Sequence, residues 1–359
     1  MPLARDISTD QTHNPMATDG FEFVEFTDEN PDRLDRLFTA LGFSAVAQHR
    51  SKKVIRYNQG DINFLLNYDS NGHPAKFYKA HGISACAMAF RVENADKALK
   101  YALRKGAEKK TNDKVSSLEL VIPAIRGIGD SLLFLVDKYG DDSIYDTDFI
   151  AIEYPSQVPS VGLKEIDHLT HNVRFGNMNQ WTEFYQRLFN FRQIKYFDIR
   201  GEKTGLVSRA LSSPCNKIKI PINESNDDDS QINEYLRDYQ GEGIQHIALT
   251  TDDIYTTIDR LKENGIGFLD VPDSYYDAIE ARLPEQGEPI AELKKRHILI
   301  DGYFTDSKPQ LLLQIFTNTV IGPIFFEIIQ RKGDDGFGEG NFQALFDAIE
   351  RDQVKRGVL

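Results

Sequence analysis

The chain has 359 residues, 40% hydrophobic and 27% charged, enough for two or more domains with separate cores. A formal net charge of −13 argues against nucleic acid as a partner, because a phosphate backbone demands a basic surface. No stretch has the apolar length needed to span a bilayer, the N-terminus lacks an apolar signal core, and Cys86 and Cys215 form no metal or redox spacing; the expectation is a cytoplasmic protein with no membrane partner.

Residues 1–18 read as a flexible tail. From Gly20, "GFEFVEFTDENPDRLDRLFTALGF" predicts a strand followed by an amphipathic helix, and "VIRYNQGDINFLLN" (54–67) a strand pair turning at Asn58–Gly60. "GISACAMAFRVENADKALKYALRKGA", from Gly82, repeats the strand-then-helix order, and "LELVIP" and "SLLFLVD" follow as strands. Prolines and serines in "YPSQVPSVG" (154–162) then break the pattern, which sets an N-terminal domain at 19–153, a linker at 154–163 and a C-terminal domain at 164–359.

The second half repeats the first. "EIDHLTHNVRFGNMNQWTEFYQRLFNF", from Glu165, resembles the first unit, and "GIQHIALTTDDIYTTIDRLKENGI", from Gly243, matches the second in kind and order. Strands are expected at "TGLVSRAL", "KIKIPIN", "HILID", "PQLLLQIFT" and "PIFFEIIQR". One helix for about three strands indicates an α+β protein. The expected architecture is two domains, each a pair of βαβββ-type modules forming a curved open antiparallel barrel with helices outside, plus a C-terminal lid helix at 341–355.

The repeats differ in their chemistry. Aligning the Gly-Ile starts sets His246 opposite Ala85, and His168 lies in an opening strand whose N-terminal counterpart has no histidine. Strand alternation puts Ile166, His168 and Thr170 on one face, with Asp167, Leu169 and His171 on the other. The same rule groups Ile244, His246 and Ala248, with Gln245 opposite, and groups Phe325, Glu327 and Ile329. Two imidazoles and a carboxylate on one side of a coordination sphere suit non-haem Fe(II), which keeps open positions for substrate and dioxygen. Glu327, between Phe326 and Ile328, needs a partner because an unpaired buried carboxylate costs several kcal/mol. His171 is an alternative ligand of opposite parity; His13, His49, His73, His81 and His297 fall in tail, loop or strand-edge contexts.

From about Asp19 to Gln353 the chain resembles the 4-hydroxyphenylpyruvate dioxygenase family of the vicinal-oxygen-chelate superfamily, through "DGFEFVEF", "DHLTHNV", "KIPINE", "GIQHIAL", "LLLQIFT", "FFEIIQR" and "GFGEGNFQALFDAIE". The resemblance implies one Fe(II) per subunit on His168, His246 and Glu327. It implies a substrate pocket of Ser208, Asn223, Gln231, Gln245, Gln314 and Phe316, with Ser208, Asn223, Gln245 and Gln314 closest to the chemistry. Phe325, Phe337 and Phe342 would clamp the substrate ring, with Asn341 beside them. The implied reaction takes 4-hydroxyphenylpyruvate and O2 to homogentisate and CO2 in tyrosine and phenylalanine catabolism, and relatives assemble as dimers or tetramers. The N-terminal half, without ligands, is expected to be structural.

Two loops depart from the family pattern: "KGDDGFGEGNF" lacks a cysteine and is short, and "NTVIGPI" is also short, so access to the cavity is where a difference is expected. "GFGEGNF" imitates a nucleotide-binding fingerprint, but its third glycine position is Asn341 and no strand follows; it reads as the hinge of the lid. Among rivals, 4-hydroxymandelate synthase shares ligands and substrate, and the polar Asn223 in "PIN" favours the ring-hydroxylating relative. An extradiol catechol dioxygenase lacks the C-terminal Phe/Asn segment. A metal-free small-molecule sequestration protein would have no need of His168, His246 and Glu327 together.

Overall fold

A computed structural model of the chain describes residues 13–110, 119–153, 158–201, 203–306, 308–338, 340–343, 346, 350, 353–354 and 357. The N-terminal half runs β1 (Phe21–Thr27), α1 (Pro31–Ala40), β2 (Ser44–His49), β3 (Val54–Gln59), β4 (Ile62–Asn67), α2 (Gly72–His81), β5 (Ser84–Arg91), α3 (Ala95–Arg104), β6 (Ala124–Arg126), β7 (Leu132–Val136), α4 (Ile144–Asp148) and β8 (Phe149–Ala151). The C-terminal half repeats the order with β9 (Leu163–Asn172), α5 (Met178–Phe189), β10 (Arg192–Arg200), β11 (Gly205–Ser212), β12 (Lys219–Glu224), α6 (Gln231–Asp238), β13 (Gly243–Thr251) and α7 (Ile254–Glu263). Three short helices, α8 (Asp273–Asp277), α9 (Ile279–Arg282) and α10 (Ile290–Arg296), precede β14 (Leu299–Thr305), β15 (Lys308–Phe316) and β16 (Phe325–Lys332).

Local chemistry sets the repeated helices. Asn30, Asn94 and Asp253 cap α1, α3 and α7 by accepting from backbone N–H groups of Asp32, Lys97 and Thr256, and Pro31 opens α1 where its missing N–H costs nothing. The buried face of α7, Ile254, Thr257, Ile258 and Leu261, follows the helical period.

Each half builds one eight-stranded sheet, ordered β6-β7-β5-β1-β4-β3-β2-β8 and β10-β11-β12-β9-β13-β16-β15-β14. The module-opening strands lie at the centre of each and pair antiparallel, β1 with β5 and β9 with β13. Each module closes with its last strand parallel to its first: β1 with β4, β5 with β7, β9 with β12 and β13 with β16. The fold is therefore the α+β arrangement of paired βαβββ modules, with mixed rather than purely antiparallel sheets. The parallel ladders arise because the strand after each helix starts a meander whose final strand returns to the opening one.

Two local expectations change, and a third falls partly outside the described residues. Of the expected tail, residues 1–12 lie outside the described residues, whereas Met16 and Thr18 are buried: the Asn14 side chain closes a turn onto the Thr18 backbone, and Asn190 donates to the His13 carbonyl. The "LELVIP" strand begins outside the described residues, and the strand that forms is β6, just after Pro123, which has no N–H to give a ladder. Of the expected lid, Asn341–Gln343, Phe346, Glu350, Gln353 and Val354 are helical, and the remainder lies outside the described residues. Glu350 pins this segment to the loop between β10 and β11, its Oε1 accepting from the Lys203 and Thr204 N–H groups and the Thr204 hydroxyl at 2.9–3.1 Å.

The halves share one core. Phe64 on β4 stacks on Phe43 at 4.5 Å, meets Phe26 and Phe38, and reaches Phe326 on β16 at 5.9 Å. Gln59 Oε1 accepts from Ser160 Oγ and the Val161 N–H at 2.9 Å, while Gly60, at φ +56°, lies so close to β9 that a Cβ would meet the Leu163 and Lys164 carbonyl oxygens at 2.7 Å. Among the described residues no helix is long and apolar enough to cross a membrane. Phe64→Ala opens a cavity where the two halves meet and is expected to lower stability by about 3–5 kcal/mol, read from denaturant unfolding.

Candidate metal centre

Three central strands of the C-terminal sheet deliver the site. Ala248 on β13 lies opposite His168 on β9 and opposite Glu327 on β16, while His246, two residues earlier on the same face, sits opposite Thr170 and Phe325. The small Ala248 side chain leaves room between the two flanking groups. His168 Nε2 is 3.1 Å and His246 Nε2 3.5 Å from Glu327 Oε2, and all three side chains are at most 4% exposed. One potential ligand atom from each lies within 4.8 Å of the others.

The outer nitrogens show what the inner ones are for. His168 Nδ1 donates to Asp167 Oδ1 at 2.8 Å, and His246 Nδ1 donates to Gln245 Oε1 at 3.0 Å. With the proton held on Nδ1, each neutral imidazole presents its Nε2 lone pair to Glu327, the tautomer a metal requires. Three lone-pair donors facing one another are repulsive unless a cation joins them, so the donor set fits a divalent metal.

Charge around the centre follows the same logic. A proton can play the cation's part between these donors: burial alone would push the Glu327 carboxyl up, but the charge of a protonated His168 and hydrogen bonds from Nε2–H groups of the two rings outweigh it and hold the group at about 2, and a metal would displace those protons. Burial lowers the basicity of His168, yet the Glu327 and Asp167 carboxylates raise it on balance, whereas for His246 burial prevails. Asp167 is itself buried, but Arg331 overrides the desolvation with its charge and a two-pronged contact, Nε to Oδ2 at 2.7 Å and an Nη to Oδ1 at 2.8 Å, keeping the carboxyl well below its usual range. Arg331 also donates to the Asp334 and Gly336 carbonyls, tying the glycine-rich loop to the same network.

A second chain of contacts reaches Glu327 from the other side. Gln314 on β15 donates to Glu327 Oε1 at 2.7 Å, Asn341 donates to Gln314 Oε1 at 2.8 Å, and the Tyr275 hydroxyl on α8 donates to Asn341 Oδ1 at 2.7 Å. One carboxylate oxygen is thus occupied by an amide and the other is left to the imidazoles.

The remaining expected pocket residues distribute around this centre. Phe325 stacks on the His246 ring at 4.9 Å, Phe316 meets that ring edge-on at 6.4 Å, and Phe337 meets His168 at 5.4 Å. Phe342 stacks on Phe197 and, with Asn223, Gln231, Gln245, His246, Leu206 and Phe346, lines a small cavity on the His246 side of the centre. Ser208 and Asn223 face each other across β11 and β12, and Asn223 donates to Asn172 Oδ1 at 3.3 Å. Among the described residues Ser208 Oγ, Asn223 Oδ1, Asn172 Nδ2 and Thr170 Oγ1 are buried with no hydrogen-bond partner, a cost that a polar guest would relieve.

Alternation misplaced two residues. Gln245 and Asp167 belong by parity to the face away from the ligands, yet both reach the adjacent imidazole, and register shifts interrupt the β9–β13 ladder. Arg331 was missed although it shares the face of Glu327 by alternation, Thr170 was marked only by sharing the face of His168, and Asn172 and Tyr275 gave no sequence signal. His171 points elsewhere: its Nε2 shares a hydrogen bond with the Tyr185 hydroxyl at 2.7 Å, and burial holds its pKa at about 3.

Two consequences are measurable. Asp167→Asn keeps the shape but weakens the acceptor on His168, and is expected to lower metal affinity by about 10–100-fold, read by metal titration. His171 is buried neutral, so its contribution to stability is complete above its unfolded value near 6.5 and is lost as pH falls toward about 3. His171→Phe should therefore flatten the fall of Tm between about pH 7 and pH 4.

The comparisons agree with this geometry. Residues 12–150 match the family model described as hydroxyphenylpyruvate dioxygenase, N-terminal, and residues 165–279 match that of the glyoxalase/bleomycin resistance protein/dioxygenase superfamily. A 4-hydroxyphenylpyruvate dioxygenase of Pseudomonas aeruginosa is 57% identical over 97% of this chain and 98% of its own. One from Legionella pneumophila is 50% identical over 97% and 99%, and hemolysin VllY of Vibrio vulnificus is 56% identical over 96% and 98%. Among solved structures, a xylose isomerase-like TIM barrel/4-hydroxyphenylpyruvate dioxygenase fusion protein superposes with a TM-score of 0.80 at 34% identity, over 98% of this chain, which spans 55% of the fusion. A substituted 4-hydroxymandelate synthase from Streptomyces coelicolor, 23% identical with a TM-score of 0.81 over 94% of this chain and 100% of its own, shares the fold. By these matches along almost its entire length, the chain belongs to the 4-hydroxyphenylpyruvate dioxygenase family and is a dioxygenase of the vicinal-oxygen-chelate fold.

Proposed function

We propose that the chain converts 4-hydroxyphenylpyruvate and O2 to homogentisate and CO2, with Fe(II) held by His168, His246 and Glu327. The observation that carries this reading is the pair of imidazoles locked as Nδ1–H tautomers around one free oxygen of Glu327, next to a cavity with orphaned polar atoms. Bound there, Fe(II) would supply redox chemistry toward dioxygen and chelation of a 2-keto acid.

The protein's own share is positioning. Gln314 occupies Glu327 Oε1 and so turns Oε2 toward the metal position, while Asn341 and Tyr275 fix Gln314 in turn. Phe325, Phe316 and Phe337 wall the histidines with apolar rings and exclude water from the reacting end. Ser208, Asn223 and Asn172 have unused donor and acceptor capacity suited to a phenolic hydroxyl, and Gln231 and Gln245 add amides to the cavity wall. A site built for that hydroxyl rejects phenylpyruvate by leaving these groups unpaired.

The N-terminal half, residues 19–153, is read as a metal-free structural unit; a homo-oligomeric, cytoplasmic enzyme of tyrosine and phenylalanine catabolism is the setting that fits. The decisive experiment is anaerobic reconstitution of the chain with Fe(II), addition of 4-hydroxyphenylpyruvate, then air, with identification of the product. Homogentisate is expected; 4-hydroxymandelate would replace the reading with the benzylic hydroxylase, and binding without turnover would replace it with sequestration. Glu327→Ala, which removes one ligand and leaves two buried imidazoles, is expected to abolish oxygen uptake while far-UV circular dichroism stays unchanged.

A further inference from the structure

The N-terminal sheet keeps the geometry of the metal site with different chemistry. On its central strand β5, Ala87 lies opposite Glu25 on β1 and Leu132 on β7, just as Ala248 lies opposite His168 and Glu327. Glu25 thus takes the register position of His168, Leu132 that of Glu327, and Ala85 that of His246. One carboxylate and two apolar residues cannot hold a metal as the C-terminal set can. Glu25 and Leu132 line instead a cavity of about 590 Å³, within the range of small-molecule sites.

Three features of that cavity point to one kind of guest. At its floor, Glu25 is 8% exposed; Asn67 donates to its Oε1 at 2.5 Å, and among the described residues no donor reaches its other oxygen. Burial pushes the Glu25 carboxyl up, with Lys110 and Lys52 opposing the shift from nearby. Phe23, Phe134 and Phe149 contribute aromatic surface to the lining. Lys110 Nζ lies over the Phe134 ring, 5.3 Å from its centroid, and has no carboxylate partner among the described residues, whereas Lys52 is held by Glu119 at 2.8 Å.

We propose that this cavity is a second, metal-independent site for a hydroxylated aromatic carboxylate, whose hydroxyl donates to Glu25, whose ring lies among Phe23, Phe134 and Phe149, and whose carboxylate pairs with Lys110. The pairing satisfies a buried acceptor and a cation in one molecule, which neither a simple anion nor an apolar guest does. Because the site carries no metal, occupancy is independent of the triad.

Equilibrium dialysis of radiolabelled 4-hydroxyphenylacetate against the Fe(II)-loaded full-length chain tests this. One bound equivalent per chain should persist in Glu327→Ala and weaken by about tenfold or more in Lys110→Met and in Glu25→Leu. Both variants should keep the Tm and the oxygen uptake of the unaltered chain; if Glu25→Leu fails to fold, Lys110→Met at the partly exposed end of the cavity carries the test. Absence of any equivalent that survives Glu327→Ala, or an equivalent untouched by Lys110→Met, would overturn the assignment.

Discussion

Three electron-pair donors turned toward one another in a buried site are tolerable only around a cation, and the rest of the C-terminal half is organised to keep them so turned. The orientation is imposed from behind. Asp167 and Gln245 take the Nδ1 protons of the two histidines, and Gln314 takes one oxygen of Glu327. Each of these holders is held in turn, Asp167 by the fork of Arg331 and Gln314 by Asn341. The arrangement stores no free choice of tautomer, which is how a protein fixes an open coordination site without distorting its backbone.

The scaffold makes that arrangement possible by bringing β9, β13 and β16 side by side at the centre of one sheet. Module duplication accounts for this: two opening strands pair antiparallel, and the last strand of the second module returns parallel to its first. In the N-terminal sheet the same three positions carry Glu25, Ala85 and Leu132. Duplication preserved the backbone geometry and left the side chains free to diverge, so one half became a donor cluster and the other a cavity with the buried carboxylate of Glu25 at the corresponding position.

Contacts between distant segments then couple the site to its surroundings. The helices inserted before β14 bring Tyr275 and Arg282 to the Ile300 carbonyl, and Tyr275 continues through Asn341 and Gln314 to Glu327. Arg331 links the glycine-rich loop to the holder of His168. The segment that begins the C-terminal helix is thereby attached to two of the three residues of the metal centre, a physical route by which its position affects the shape of the site.

How much of this could be read from residue order depends on the range of the interaction. Repeated strand-then-helix units, caps such as Asn30, Asn94 and Asp253, and the singular placement of His168, His246 and Glu327 are local or periodic facts, and periodicity is a property of sequence. The parallel ladders, the buried stretch at Met16–Thr18 and the approach of Asp167 and Gln245 to their neighbours were not legible, because strand pairing and register shifts are settled only when strands meet. By itself, then, the sequence determined the modules, their duplication and the residue types able to bind a metal, since these follow from pattern and composition. Tertiary structure alone decided which nitrogen of each histidine is free, which oxygen of Glu327 is occupied and which polar atoms stay unpaired, because those depend on side chains of neighbouring residues turned together at an irregular ladder and on hydrogen bonds between residues far apart in the chain.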